Sequence, residues 1–455
     1  MSRALSLCAL LLPAFAFGAE VARDESTGAV LEVSGFYKSL LQGVVLNGKV
    51  VELSRAQAKL LADATGASTP TIPDGGFLNA HLARVSSRFR IADKFELDVA
   101  WQLQLALVSD PVLAGGLSST VGGTSSGAQR RLVELAGVLG QGSAWSVSHN
   151  LDRLAVKIAL PFGDLTVGRQ VLSWGTGRLW NPTDVLSPFP PTVVDREVRR
   201  GFDAVRLAIA LGEVTQLDLL YLPQPKLEDQ GGVARFQTNT RGWDWSLSAG
   251  KYVSDLVFGA DVVGDLGPIG VHAEGAYTVQ LKGLGGGPVS VGEHFFRGVI
   301  GAEARPHEKL LLMLEYSYNG YGSANPSRYA AILSSARVQR GEIFGAGKHQ
   351  AALAANFLAT EALTASLSVL ANLSDPSAMV IPTVEYSVTQ NVLLRGGLYV
   401  PIGRPPDPNV ARALSTTDVL TNSAAWQQLV ATRGLRSEYG ASSFGAFVQV
   451  GIYAP

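Results

Sequence analysis

The apolar residues of this chain recur with a period of two. From Lys94 the sequence reads KFELDVAWQLQLAL, in which Phe95, Leu97, Val99, Trp101, Leu103, Leu105 and Leu107 alternate with Glu96, Asp98, Ala100, Gln102, Gln104 and Ala106. Successive side chains of a strand point to opposite faces, so this stretch is a strand with one apolar and one polar face. The same alternation returns over Trp243–Ala249, Leu312–Asn319 and Leu363–Val369. A water-soluble sandwich would alternate too, but these strands exceed the ~5–6 residues usual in soluble sheets and approach the ~9–11 that cross a bilayer at a tilt. Aromatic residues also gather toward strand ends, as at Tyr316 and Tyr318 or Trp243 and Trp245, where an interfacial girdle places them. The pattern predicts an all-β protein, a transmembrane antiparallel β-barrel.

Turn chemistry supplies the topology. Short turns are expected at Ala92-Asp93, Pro161–Asp164, Gly212-Glu213, Arg305–Glu308, Thr360-Glu361 and Gln390-Asn391. Long connections fall between them, over Val51–Phe77, Asp110–Ala144, Trp174–Phe202, Gly320–Gly345 and Gly403–Ser437. Short periplasmic turns and long extracellular loops are the habit of outer-membrane barrels, and counting from Leu31–Gly43 to Gly440–Tyr453 gives about eighteen strands with both termini on the short-turn side. The strands within Ala234–Lys251 do not separate cleanly by pattern. Ser443–Val450 reads polar–x–Gly–x–x–hydrophobic–x–hydrophobic, which resembles the terminal signal read by the barrel-assembly machinery, although the chain continues to Ala454-Pro455.

Composition narrows the class further. Arg3 precedes a run from Ala4 to Phe17 that is apolar except for Ser6, and small residues follow at Ala16 and Gly18. Residues 1–18 are therefore expected to be an export signal and 19–455 the barrel. Cys8, the only cysteine, falls inside that signal, which leaves no disulfide and no thiolate site beyond it. Charged residues make up only 16% of the chain, and a net charge of −1 argues against nucleic acid as a partner.

Catalytic patterns are sparse. Ser148-His149-Asn150 places its residues on opposite strand faces, and His81, His272, His294, His307 and His349 are single and widely spaced. Gly283–Gly287 lacks the Lys-Ser/Thr of a phosphate loop. No enzyme activity, cofactor or metal is expected.

Charge on the polar face is more informative. Arg or Lys facing lipid near the midplane costs roughly 2–4 kcal/mol, so alternating charges belong to the lumen. Arg84, Arg88 and Arg90 share one face, as do Arg153 and Lys157, and Arg206 follows on the sixth strand. Glu96 and Asp98 interrupt this basic arc, and Asp218, Asp244, Asp261 and Glu274 succeed it. Two arrangements are open: opposed arcs that set a transverse field, or pairing across neighbouring strands. The segment from Trp174 to Phe202 concentrates Gly175, Gly177, Pro182, Pro188, Pro190 and Pro191 with Arg178, Trp180, Asp184, Asp195, Arg196, Glu197, Arg199 and Arg200. Such a stiff, charged loop is suited either to fold inward as a constriction or to form an outward cap.

The run from Val167-Gly168-Arg169-Gln170 through Ser173-Trp174-Gly175-Thr176-Gly177-Arg178-Leu179-Trp180-Asn181-Pro182-Thr183-Asp184 to Gly201-Phe202-Asp203-Ala204 resembles a segment shared by a group of porin-like Gram-negative outer-membrane proteins. Leu363–Gly403 resembles the same group, and there is a looser likeness to barrels that export polysaccharide with periplasmic partners. The resemblance implies a water-filled path for hydrophilic cargo, by diffusion or by polymer export. It also implies a setting in outer-membrane lipid and lipopolysaccharide. A structural or adhesive surface barrel is the remaining alternative. No plug-like segment precedes Leu31, which argues against an energised transporter.

Overall fold

Among the described residues, twenty strands form one antiparallel sheet, and eighteen of them close into a ring. The computed structural model describes residues 19–110, 131–193, 195–284, 288–407, 409 and 434–454. The expected export signal, residues 285–287 and most of the connection after Gly403 lie outside them. The strands are β1 (Ala19–Asp24), β2 (Ala29–Val45), β3 (Gly75–Ile91), β4 (Phe95–Val108), β5 (Ala136–Gln141), β6 (Trp145–Leu160) and β7 (Gly163–Gln170). Next come β8 (Phe202–Ala210), β9 (Gln216–Leu222), β10 (Gly231–Thr240), β11 (Trp243–Tyr252), β12 (Asp255–Leu266), β13 (Ile269–Lys282) and β14 (Ser290–His307). The ring is completed by β15 (Leu310–Asn319), β16 (His349–Leu358), β17 (Leu363–Asn372), β18 (Ser377–Thr389), β19 (Val392–Ile402) and β20 (Phe444–Ala454). Closure comes from β20 pairing with β2, from Gly35↔Ala454 to Val45↔Phe444.

The two extra strands sit beside the ring. β1 pairs with the start of β2, whose edge β20 occupies only from Gly35 onward. β5 pairs with the loop-end half of β6, while β7 holds the other half. The region that the pattern left unseparated is a hairpin of β10 and β11 with Arg241 (φ 55°) and Gly242 (φ 83°) at its tip. Ala92 and Asp93 likewise take φ of 48° and 55°, the mirror-type turn that matches strand twist. The turn expected at Arg305–Glu308 instead lies beyond His307, because β14 runs through Pro306 with a register irregularity between Ala304 and His307. Proline has no N–H for the ladder and is tolerated at such an irregularity.

Alternation sorts the faces. Leu247 (63% exposed), Ile300 (60%) and Leu314 (57%) point outward. Their strand neighbours Ser246, Val299 and Glu315 point inward and are buried. What buries the inner face is chain from the long connections. The connection after β2, expected as a loop, contains a helix, α1 (Gly48–Thr65), capped by Asn47 accepting from the Lys49 N–H at 3.0 Å and ended by Gly66 at φ 70°. The connection from β15 to β16 carries two short helical turns, α2 (Tyr329–Leu333) and α3 (Ala336–Gln339), with Tyr329 and Ile343 buried.

Candidate channel constriction

The segment between β7 and β8 enters the ring and crosses it. At its base, Arg169 pairs with Asp203 at 2.8 Å and the Gly201 N–H donates to Asp152 at 3.0 Å. The Arg153 guanidinium donates to the Arg199 carbonyl at 3.0 Å. Asp184 then folds the segment on itself, accepting from the Ser173 hydroxyl and the Ser187 N–H, each at 3.1 Å, and pairing with Arg199. Burial pushes the Asp184 carboxyl above its ordinary value, and Arg199 opposes that rise.

Two wall glutamates pin the middle. Glu274 on β13 accepts from the N–H groups of Thr176 (2.8 Å), Gly177 (3.0 Å) and Thr183 (2.6 Å), and from the Thr183 hydroxyl at 2.8 Å. Glu315 on β15, fully buried, accepts from the N–H groups of Arg178 and Leu179, the latter at 3.0 Å, and lies 2.9 Å from His272 Nε2. Arg178 reaches Glu303 on β14 at 3.0 Å. This close approach explains the glycines. Gly175 has φ 92°, and a Cβ there would stand 2.6 Å from the Glu274 carboxylate.

The far end is fastened to strands well round the ring. Lys38 on β2 holds Asp195 at 2.6 Å and Glu197 at 2.7 Å, and Tyr453 on β20 donates to Glu197 at 2.8 Å. Gln449 on β20 donates to Asp195 at 3.3 Å, and Tyr399 on β19 donates to the Thr192 carbonyl at 2.9 Å. Arg196 bonds back onto the segment at the carbonyls of Arg178 (3.3 Å) and Pro191 (2.5 Å). Apolar contacts follow the same path. Trp174, Val185 and Leu186 pack with Phe202, Leu220 and Tyr252, while Leu179 and Trp180 pack with Leu40, Ala352, Leu370 and Phe447. Ala352 and Leu370 lie on β16 and β17, which stand opposite β7 and β8, with β9–β15 on one side and β18–β20, β2–β4 and β6 on the other.

The wall charges named from sequence sit mostly in pairs. Arg84 meets Asp152 at 2.9 Å, Arg153 meets the same carboxylate, Arg88 meets Glu96 at 3.4 Å, Lys157 meets Asp164 at 2.9 Å and Arg206 meets Asp218 at 2.7 Å. Asp98 stands opposite Arg88 in register, and Arg90 pairs with Glu32. Asp261 accepts from Ser246 and from Arg235 at 3.5 Å, and Asp244 lies exposed near a short turn, accepting from Asn239 at 2.8 Å. In the crossing segment, Trp174 lies beneath the Arg235 guanidinium at 5.6 Å, and the Arg200 carbonyl accepts from the Ser187 hydroxyl at 3.1 Å.

Sequence reasoning missed Lys38, Asp152, Glu303 and Glu315 as partners of the segment. Parity places Glu315 on the inner face and does the same for Lys38, but nothing local ties either to residues more than a hundred positions away.

No protein-family profile and no curated relative matches the sequence. Solved structures do. Pseudomonas aeruginosa OccK5 (OpdH) aligns over 93% of this chain and 98% of its own with 9% identity and a TM-score of 0.50. The likeness is one of fold. Acinetobacter baumannii OccAB1 covers 96% of this chain and 98% of its own at 9% identity and TM-score 0.49, and a triple-mutant porin of Rhodopseudomonas blastica covers 93% and 99% at 12% and 0.41.

Proposed function

We propose that this chain is an outer-membrane diffusion channel of a Gram-negative bacterium, with the segment between β7 and β8 as its constriction. The observation that carries the reading is the crossing segment itself, fastened to the wall near its base and to Lys38 and Tyr453 far round the ring. A surface barrel with no solute to select gains nothing from a bridge pinned at so many wall positions.

Chemistry of the two faces supports the setting. Outward side chains such as Leu247, Val291 and Ile300 are more than half exposed, which in water would cost about 25 cal/mol for each Å2 left wetted. In lipid that cost vanishes, and lipopolysaccharide would meet the long-loop end. Charged side chains are turned to the inside, where they pair with one another and with the crossing segment. The crossing segment also favours small hydrophilic solutes over a polymer strand, which needs an unobstructed bore.

Purified full-length protein inserted in planar lipid bilayers tests this. Discrete conductance steps are expected, together with passage of small sugars in liposome swelling. Correctly assembled barrels that give neither would overturn the channel reading in favour of a surface-binding role.

A further inference from the structure

Among the described residues, nine buried side-chain polar atoms lack a hydrogen-bond partner, and four of them belong to residues lining a single cavity. They are Asn181 Oδ1 on the crossing segment and Arg297 Nε, Asn319 Nδ2 and Gln350 Oε1 on strands β14, β15 and β16. Buried polar groups in folded proteins are nearly always paired, so four residues with such atoms lining one space mark a place suited to a polar occupant. The cavity lies on the seam between Trp180–Pro182 and the second inward connection at Glu342–Phe344.

The bonds these residues already make decide which atom is left over. Gln350 uses its amide nitrogen on Glu438 at 3.5 Å, leaving its oxygen. Asn319 uses its oxygen to accept from the Tyr321 N–H at 3.2 Å, leaving its amino group. Arg297 uses a terminal nitrogen on the Glu342 carbonyl, leaving Nε–H. The site therefore offers two donors, from Arg297 and Asn319, and the Gln350 oxygen as an acceptor. An anion would satisfy only the donors, and a metal cation only the acceptor. A hydroxyl group does both. The aromatic rings of Trp180 and Phe344 supply apolar wall beside these groups.

On the channel reading above, we propose that this seam is a subsite for a neutral polyhydroxylated solute, a sugar or polyol. The space open to the centre of a water-sized group is about 30 Å3. At roughly 10–15 Å3 for each such group, that admits one vicinal diol, the edge of a sugar and not its whole ring. A solute squeezing past Trp180 would meet it there.

The test uses the full-length channel in planar bilayers with glucose as probe and acetate as an anionic comparator. Glucose is expected to depress conductance saturably and acetate is not. Gln350→Leu and Asn319→Leu should raise the half-blocking glucose concentration about tenfold, the loss expected when one buried hydrogen-bond partner is removed. If either fails to assemble, the near-isosteric Gln350→Met, which removes the acceptor, and the isosteric Asn319→Asp, which removes the donor, replace it, with the same shift expected. Conducting channels with no saturable glucose effect, with equal block by acetate, or with variants blocked at the wild-type concentration would overturn the subsite and leave the cavity to bound water. A barrel that assembles but never conducts would instead overturn the channel reading.

Discussion

Lys38 on β2 holds Asp195 at 2.6 Å, although 157 residues separate them along the chain. The ammonium is almost fully buried, with Glu197 as its second carboxylate at 2.7 Å and the Phe36 ring 4.6 Å away. Breaking a buried ion pair by removing one partner costs about 3–5 kcal/mol, because the other charge is left without compensation. Lys38→Met should therefore release the far end of the crossing segment while its base stays bonded to Asp152. The expected outcome is a barrel that still shows heat-modifiable gel migration, melts at a lower temperature and conducts with more current noise. A quiet, wild-type trace would mean that Lys38 does not hold the segment.

Face assignment gives a second prediction. Leu367 points outward and is 40% exposed, whereas Gln102 points inward and accepts from Asn150. Leu97→Arg and Leu367→Arg should block assembly, since an arginine facing lipid near the midplane costs roughly 2–4 kcal/mol. Gln102→Arg and Ser366→Arg should be tolerated. Heat-modifiable migration after expression checks all four, and equal tolerance would sink the membrane setting.

Period-two alternation and turn residues make the ring, most of its turns and its faces legible, because a strand's faces are a local property of sequence. Asp152 was hidden for a physical reason. Strict alternation would place it on the face opposite Arg153, but β6 shifts register between the pairs Ala100↔Arg153 and Trp101↔Leu151. Both residues then point inward, and Asp152 becomes the buried partner of Arg84 and of Gly201. The rigidity of the segment after β7 was also legible from its glycines and prolines. Its direction was not, because Glu274, Glu315 and Lys38 are brought to it only by closure of the ring. α1 lies inside a long connection, where the period-two pattern of the flanking strands carries no information about it.

Pairing of the wall charges separates their roles. Arg84 is buried against Asp152, whereas the Arg88 side chain is half exposed beside Glu96. Arg88→Ala should leave Glu96 without its partner and shift the reversal potential toward cation preference, more strongly at low salt, where screening is weaker. Arg84→Ala should act mainly on stability, lowering the melting temperature. If the reversal potential follows Arg84 and ignores Arg88, the buried pairs line the conduction path and the exposed ones do not.

Glu438, in the connection before β20, links pH to the order of the long-loop end. Burial pushes its carboxyl above the ordinary value, Asp375 adds to the rise, and the N–H groups of Ala346 and Gly347 with Asn372 oppose it. A carboxyl whose folded pKa is raised binds its proton more tightly in the folded state. Its stabilising contribution is complete below the unfolded pKa of about 4.5 and fades as pH climbs through the folded value. Hydrogen exchange over 434–443 and 345–347, corrected for intrinsic rates, should show protection declining as pH rises from that point. Glu438→Gln should flatten the slope, and an unchanged slope would assign it to Asp375 or another neighbour.

Excising Pro188–Glu197 is the decisive test of the constriction. Ser187 and Arg199 are already joined, Arg199 donating to the Ser187 carbonyl at 2.7 Å, and the Ser187 hydroxyl donates to the Arg200 carbonyl at 3.1 Å. The ends created by the deletion therefore lie close, and a short glycine linker can join them without moving β7 or β8. Lys38→Met must accompany it, so that no bare ammonium is left buried. The Glu274 and Glu315 pins and the Asp184–Arg199 pair all survive, so the near half of the segment should keep its place while the far half of the lumen opens. Conductance should exceed that of both the wild type and Lys38→Met alone. Liposome swelling with sugars of graded size should show a larger exclusion limit. If conductance and exclusion limit match those of Lys38→Met alone, the excised stretch lies outside the solute path, and the narrow point must be sought at the seam with the β15–β16 connection.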